Sequence, residues 1–219
     1  MNKSVKDMLK AGLVLFLIAG VCVGLLAVAN VFLKVEEPPP VLDLDTAQKL
    51  AAVCPTGAAD ENALDYFEIF DVKGAGVDLD AFNLDESGMV RSAFHRADNQ
   101  TPKDRVLEVY RATKGENAGS LVIKAQAEGF EGGYVVMITA YRPGPVLLKT
   151  RVFSNEKQSF LRRITEEELD AFYAGKQVSA LDGKFTHSGV SYSAGAIDKA
   201  LRMSNTLIGR LEAQGGRRA

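Results

Sequence analysis

The stretch LVIKAQAEGFEGGYVVMITAY, residues 121–141, predicts two adjacent antiparallel strands. In its first half, apolar and polar side chains alternate, as in a strand with one buried face. The two sets are Leu121, Ile123 and Ala125 on one face, and Lys124 and Gln126 on the other. The second half, YVVMITAY, is apolar on both faces, which predicts a strand covered on both sides. The short glycine-containing link EGFEGG between the halves favours a tight antiparallel connection.

The flanking sequence extends this pattern to four strands. The runs are Val106–Ala112, Leu121–Ala127, Tyr134–Tyr141 and Val146–Phe153, and they are separated by KGENAGS, EGFEGG and RPGP. Because such short links cannot hold a crossover helix, they predict an antiparallel meander.

Helices are predicted before and after the strands in the sequence. DTAQKLAAV, residues 45–53, predicts a short helix with Asp45 as its N-cap. Thr165 and Glu168 form a capping-box pattern ahead of LDAFYAG. A last helix is expected from about Ser193 to Ala213, with a core-facing stripe of Ile197, Leu201, Ile208 and Leu211. Residues 56–104 predict irregular structure with one or two short strands. The helices and the antiparallel strands together predict an α+β fold.

Composition excludes several functions. The formal net charge is −2 and basic residues are scattered among acidic ones, which argues against a nucleic-acid partner. Cys22 lies inside an apolar run, so Cys54 alone cannot form a disulfide within the body. A structural zinc site uses about four Cys or His ligands at characteristic spacings, and the two His and two Cys here do not have such spacings, so no metal site is expected.

Residues 11–33 form an uncharged apolar run, which predicts a transmembrane helix. The alternative is a secretory signal peptide cleaved after Ala27-Val28-Ala29, although the apolar run continues past that site. Lysines precede the run, and Glu36 and Glu37 follow it, so the N-terminus is expected in the cytoplasm and the body outside.

The predicted organisation has four parts. Residues 1–10 are a cytoplasmic N-terminus, 11–33 the transmembrane helix, 34–44 a proline-rich linker and 45–215 an α+β domain. The predicted location is the bacterial inner (cytoplasmic) membrane, with a single pass and an extracytoplasmic body.

The segment THSGVSYS, residues 186–193, places small hydroxyl residues and a glycine before the last helix. One interpretation is a loop followed by an N-cap. The other is a phosphate site, because helix N-termini present unpaired N–H groups and Gly189 allows close backbone approach. Ser188, Ser191 and Ser193 would supply hydroxyls.

The whole chain resembles the FMN-binding subunit family of two membrane electron-transport complexes, the Rnf complex and the sodium-translocating NADH:quinone oxidoreductase. The resemblance rests on the N-terminal apolar helix, on EGFEGGYVVMITAY, and on Ser188-Gly189-Val190-Ser191, which occupies the place of the family's S/T-G-A-T motif. In the family, a flavin transferase attaches FMN through a phosphoester to the motif's final Thr.

The resemblance implies an electron-carrying flavoprotein subunit of an ion-translocating complex, with FMN attached at Ser191. Its implied cofactor-binding residues are Ser188, Gly189, Val190, Ser191, Ser193 and Glu156. The implied partners are other membrane subunits of the complex, the flavin transferase and the lipid bilayer.

This sequence departs from the family pattern at four places. Val190 replaces Ala, and Ser191 replaces the acceptor Thr, although a serine hydroxyl can form the same phosphoester. The family's upstream Asp falls at Phe185, and its E-T-P-G-L-G loop falls at EKQSFL, residues 156–161, where only Glu156 matches. These departures keep two other hypotheses open: a flavin-free anchored assembly subunit, and an exported ligand-binding module.

Other residues carry weaker alternatives. His187, Arg162 and Arg163 would either contact a flavin phosphate or be solvated surface residues. The tyrosines Tyr110, Tyr134 and Tyr141 are expected to pack in the sheet rather than form a stacking surface, and Cys54 to be a small buried side chain.

Overall fold

The structure is a computed structural model that describes residues 12–25, 41–57, 60–72, 74–77, 83–84, 90–91, 104–181 and 183–215. Residues 12–25 form helix α1. No helix within the described ranges is both long enough and apolar enough to cross a membrane. The remainder of the predicted span, residues 11 and 26–33, lies outside those ranges. From Val41 onward the chain forms a separate compact unit.

The described residues of the body form two antiparallel sheets. The strands are β1 (Phe67–Ile69), β2 (Asn83–Leu84), β3 (Val90–Arg91), β4 (Arg105–Ala112), β5 (Leu121–Glu128), β6 (Tyr134–Arg142) and β7 (Val146–Glu156). The main sheet has five strands in the order β1-β4-β5-β6-β7, and the smaller sheet pairs β2 with β3. The predicted meander is confirmed, since β4 to β7 pair in sequence order.

Both faces of the main sheet are covered. Ile123, Met137 and Tyr141 pack in one core cluster with residues of the last helix, while Val122 and Ile138 pack in a second cluster with the first helix of the body. Seven consecutive residues of β6, 135–141, are therefore buried, as its two-sided apolar sequence predicts. The mixture of helices and antiparallel strands is the expected α+β class.

Helix α2 (Leu44–Val53) begins one residue earlier than predicted, and the predicted N-cap is wrong. Asp43, with an extended backbone, accepts the Thr46 N–H at 2.7 Å on its carboxylate. Asp45 lies in the first turn instead and pairs with Lys49 at 2.6 Å. Aspartate is favourable at both positions, because an N-cap needs an acceptor and the first turn favours negative charge.

Helix α3 (Glu166–Tyr173) begins with the predicted capping box. The Thr165 hydroxyl accepts from the Glu168 N–H at 3.3 Å, and the Glu168 carboxylate accepts from the Thr165 N–H at 2.9 Å. The helix is tied to β7 by Arg151, which donates to both oxygens of Asp170 at 2.7 and 2.8 Å.

Helix α4 (Ser191–Gly215) begins two residues before the predicted start. The Ala194 N–H donates to the Val190 carbonyl at 2.9 Å, so Val190 is the N-cap residue. Ser193 thus belongs to the first turn. The predicted stripe is confirmed, since each of its four residues is buried: Ile197, Leu201, Ile208 and Leu211.

Candidate functional site

The start of α4 contacts two loops that are distant in sequence. One is the β5–β6 link with its 3-10 turn Phe130–Gly132, and the other follows β7 and contains the 3-10 turn Ser159–Arg163. These are the segments EGFEGG and EKQSFL, which the sequence associates with the small-residue motif by resemblance alone. The fold places all three segments together.

Gln158 joins the three segments through its side chain, which is 3% exposed. Its Oε1 accepts from the Ser193 hydroxyl at 2.7 Å and from the Phe130 N–H at 3.2 Å. Its Nε2 donates to the carbonyls of Phe130 at 3.1 Å and Glu156 at 3.2 Å. Two accepted and two donated bonds use the full capacity of the amide, so this junction is fully hydrogen-bonded.

Two glycines allow the β5–β6 link to approach Gln158. A Cβ at Gly129 would lie 2.6 Å from Gln158 Oε1, and one at Gly133 would lie 2.2 Å from the Glu156 carbonyl oxygen. Both distances are shorter than ordinary van der Waals contact. The glycines of EGFEGG are therefore required by close packing as well as by the turn.

A tight turn precedes α4. The Val190 N–H donates to the His187 carbonyl at 3.2 Å, and Gly189 has a φ of +77°. A positive φ at the third position of a β-turn favours glycine, because a side chain there is strained. Arg163 Nη1 lies 3.5 Å from the position that a Cβ on Gly189 would take, so a cation flanks this turn.

The six predicted cofactor-binding residues all lie in this region, but their side chains differ in accessibility. Four are exposed: Ser188, Gly189, Ser191 and Glu156. The side chain of Val190 is buried, and the buried hydroxyl of Ser193 donates to Gln158. Glu156 ends β7, and its carbonyl rather than its carboxylate accepts from the junction. Ser188 and Ser191 thus offer accessible hydroxyls.

Three large aromatic side chains are exposed around the start of α4. Phe130 is 41% exposed, Phe160 49% and Tyr192 71%. The rings of Phe130 and Tyr192 are 5.8 Å apart, and the Arg163 guanidinium lies 4.9 Å from the centre of the Phe160 ring. Together with the Ser188–Ser191 turn, these side chains form a surface that we call the α4-start surface. The sequence patterns did not identify these three aromatic residues. The only feature that could have indicated them is an aromatic side chain within a glycine-rich or polar segment.

His187 adjoins this surface, and its ring contacts helix α3. Its Nε2 lies 3.5 Å from Glu168 Oε1, and its Nδ1 lies 3.0 Å from the Ser188 carbonyl oxygen. The imidazole therefore connects the turn to the capping box of α3. This position supports a structural role more than direct contact with a ligand at Ser191.

Phe185, at the family's aspartate position, is 4% exposed. Its ring centre lies 5.5 Å from that of Phe172 and 5.8 Å from that of Tyr173. Its N–H donates to Asp198 Oδ1 at 3.2 Å. This position is therefore part of the core and presents no carboxylate to a partner protein.

Cys54 is buried, as expected for a small apolar side chain, and burial raises the pKa of its thiol to about 11. Among the tyrosines, Tyr110 and Tyr141 are buried in the sheet as predicted, and Tyr134 is half-buried. The described residues contain no group of three or more His, Cys, Asp or Glu side chains placed to hold a metal ion.

The fold and the site define an α+β domain whose last helix begins at a turn flanked by exposed serines, aromatic rings and an arginine. No family model matches this sequence, and no curated protein or solved structure is significantly similar to it.

Proposed function

We propose that this chain is a membrane-anchored flavoprotein subunit that relays electrons through FMN on the exported side of the membrane, within an Rnf-like ion-translocating complex. The observation that carries the proposal is the convergence of three distant segments at the α4 start. Two of those segments, EGFEGG and the Ser188–Ser191 motif, are ones in which the sequence resembles FMN-binding subunits. The third, EKQSFL, takes the place of a family loop and matches it only at Glu156. Convergence of unrelated surface loops at one helix start would be coincidental.

The phosphate end of the cofactor fits Ser191. This serine is exposed and is the first residue of a 25-residue helix. The N-cap residue, Val190, has no side-chain oxygen for the first-turn N–H groups, and such groups favour an anion. Arg163 beside Gly189 adds a positive charge. The residues present therefore fit a phosphoester at Ser191 Oγ.

The aromatic end also has a suitable surface. The exposed rings of Phe130, Phe160 and Tyr192 surround the same helix start, and aromatic faces stack favourably on planar ring systems. Gln158 would act as a positioning residue, since it fixes the backbone of Phe130 and the first turn of α4. FMN, when bound, supplies the redox chemistry; the chain's own residues hold and orient it.

Attachment requires no redox step. The Ser191 Oγ–H bond would be replaced by an Oγ–P bond, the P–O bond between the flavin phosphate and its leaving group in a phosphoanhydride donor would break, and the serine proton would leave with that group. The transferase would catalyse this attachment, so no side chain near Ser191 has to act as a base for it.

The membrane part of the proposal rests on sequence. Residues 11–33 are apolar and preceded by Lys3, Lys6 and Lys10, which favours a cytoplasmic N-terminus. Of this run, residues 12–25 are helical.

The test is flavin attachment in the presence of the host's flavin transferase. The full chain is expected to fluoresce on a denaturing gel, and peptide mass spectrometry is expected to find FMN on Ser191. Ser191→Ala should abolish the fluorescence. Ser154→Ala is the control, because it removes an exposed hydroxyl that lies outside the motif and should leave the fluorescence unchanged. A dark band from native membranes, or fluorescence that survives in Ser191→Ala, would contradict attachment at Ser191.

The second candidate is a flavin-free anchored assembly subunit, favoured by the burial of Phe185. A partner enzyme that requires the family's carboxylate finds none there. In this case native membranes would yield the chain with its partner subunits and without flavin. Phe185→Asp would not restore labelling, because the carboxylate would replace a ring packed between Phe172 and Tyr173.

A further inference from the structure

A cavity lies about two turns further along α4. It has a volume of about 400 Å³ and is bounded by the end of α3, by Val178, Leu181 and Gly183, and by one face of α4. Its apolar wall includes Phe172, Val178 and Leu181. A volume of this size is typical of sites for small organic molecules.

The polar wall comes from four residues of α4 that share a face. They are spaced three and four residues apart, as helical neighbours are: Asp198, Arg202, Asn205 and Thr206. Tyr173 faces them from α3. The cavity therefore has one apolar and one polar side.

The carboxylate and amide oxygens on this wall each already accept a hydrogen bond. Asp198 accepts from the Phe185 N–H at 3.2 Å and from Arg202 Nε at 2.8 Å. Asn205 Oδ1 accepts from the Tyr141 hydroxyl at 2.8 Å. A cationic ligand would therefore have to share these oxygens with the donors that already bind them, including the positive charge of Arg202.

The unused capacity is that of donors. The Tyr173 hydroxyl is buried and has no hydrogen-bond partner within the described part of the chain. The amide nitrogen of Asn205 can donate because the amide oxygen is already paired, and Arg202 has terminal guanidinium nitrogens beyond the Nε that binds Asp198. An unpaired buried hydroxyl is costly, so a ligand that accepts from it is favoured.

Electrostatics keep Tyr173 in its donor form. Burial, followed by the neighbouring Asp198 carboxylate, raises the pKa of the Tyr173 phenol well above its usual range, while Arg202 opposes the shift. The phenol therefore remains protonated at every physiological pH.

We infer that this cavity binds a small carboxylate with an apolar body. The carboxylate oxygens would accept from Tyr173, Asn205 and Arg202, and the body would lie against Phe172, Val178 and Leu181. The inference does not depend on FMN, because none of these residues belongs to the α4-start surface.

The test uses the full chain in maltoside micelles and 4-fluorobenzoate as the probe, observed by ¹⁹F NMR. Saturable binding is expected, with 4-fluorobenzyl alcohol and 4-fluorobenzylamine binding at least about tenfold more weakly because they lack a carboxylate. Arg202→Gln should weaken 4-fluorobenzoate by about tenfold, the usual size of one charge-assisted hydrogen bond. Lys199→Gln, an exposed change on the same helix, is the control and should bind like the unmodified chain.

Tyr173→Phe separates binding from a structural role. Without ligand, this variant should unfold at a higher urea concentration, because an unpaired buried hydroxyl has been removed. It should nevertheless bind 4-fluorobenzoate several-fold more weakly. Equal binding by all three probes, or unchanged binding in both Arg202→Gln and Tyr173→Phe, would overturn the inference. Tighter binding of inorganic phosphate than of 4-fluorobenzoate would overturn the assigned ligand class.

Discussion

Gln158 and Tyr173 are both buried polar side chains that pack beside α4, but they differ in hydrogen bonding. Gln158 makes four hydrogen bonds and joins three segments. The Tyr173 hydroxyl makes none within the described residues. A fully bonded buried amide contributes to a unique packing, whereas an unbonded buried hydroxyl costs stability. The first arrangement is expected of a structural junction, and the second of a surface that binds a ligand.

The largest expected effect is at the bonded junction. Gln158→Leu has similar size but removes the side-chain partner of the Phe130 N–H and of the Ser193 hydroxyl, while the Phe130 carbonyl keeps the Gly133 N–H at 2.9 Å. We expect a loss of about 3 kcal/mol in the free energy of unfolding, measured by urea denaturation of the full chain in micelles. Ser193→Ala is the matched control and should cost about 1 kcal/mol, because Oε1 keeps its bond to Phe130. Similar small losses in both variants would show that Gln158 is not the element that joins the loops.

The next effect tests the close approach that this junction needs. Gly133→Ala would place a Cβ 2.2 Å from the Glu156 carbonyl oxygen, so the link must move away from Gln158. We expect a loss of about 2 kcal/mol, as for overpacking of a well-packed site. Gly144→Ala, where φ is +85° and an added Cβ would meet no atom within 4 Å, should cost only about 1 kcal/mol from backbone strain. The reverse order of the two losses would contradict steric contact as the reason for Gly133.

The unbonded site should respond with the opposite sign. Tyr173→Phe is expected to raise the free energy of unfolding by about 1 kcal/mol without ligand, since the ring packing is kept and an unpaired hydroxyl is removed. Thermal and urea unfolding would both detect this gain. Tyr141→Phe is the control, because that hydroxyl donates to Asn205 at 2.8 Å and its removal should destabilise. A loss of stability in Tyr173→Phe would mean that the hydroxyl is satisfied in solution.

The contrast between Gln158 and Tyr173 shows which features of the fold and the candidate site can be predicted from the sequence. Strand alternation and the stripe on the last helix are local patterns, so the meander and α4 follow from them. Where two residues of the same type compete, as with Asp43 and Asp45, the pattern cannot choose between them. The bonds of Gln158 and the isolation of Tyr173 depend on segments far apart in sequence, and no spacing rule encodes them. The candidate serines were predicted as a group, but only packing distinguishes exposed Ser191 from buried Ser193.

The smallest expected effect concerns a third polar site, the partly exposed ion pair between Arg151 and Asp170. The Arg151 guanidinium, through hydrogen bonds and its charge, lowers the pKa of the Asp170 carboxyl from its usual value of 3.8. A lowered pKa means that, at pH values between the folded-state and unfolded-state pKa, the folded state binds fewer protons than the unfolded state. The stability from this pair is therefore present above about pH 4 and lost as pH falls through the lowered folded-state pKa. Because Asp170 is about a third exposed, solvent screens the pair, and we expect less than about 1 kcal/mol from it.

A double-mutant cycle with Arg151→Met and Asp170→Asn measures this coupling directly. The coupling energy should be favourable at neutral pH and should decrease as the pH falls through the lowered folded-state pKa of Asp170, where the carboxyl becomes protonated. The cycle cancels losses that each substitution causes alone, including the bond from Arg151 to Glu166. A coupling energy that stays constant across this pH range would mean that the pair acts through neutral hydrogen bonding or packing and not through charge. The Arg151–Asp170 pair would then resemble the Gln158 junction, in which hydrogen bonds are made. Both would differ from Tyr173, whose hydroxyl makes none within the described residues.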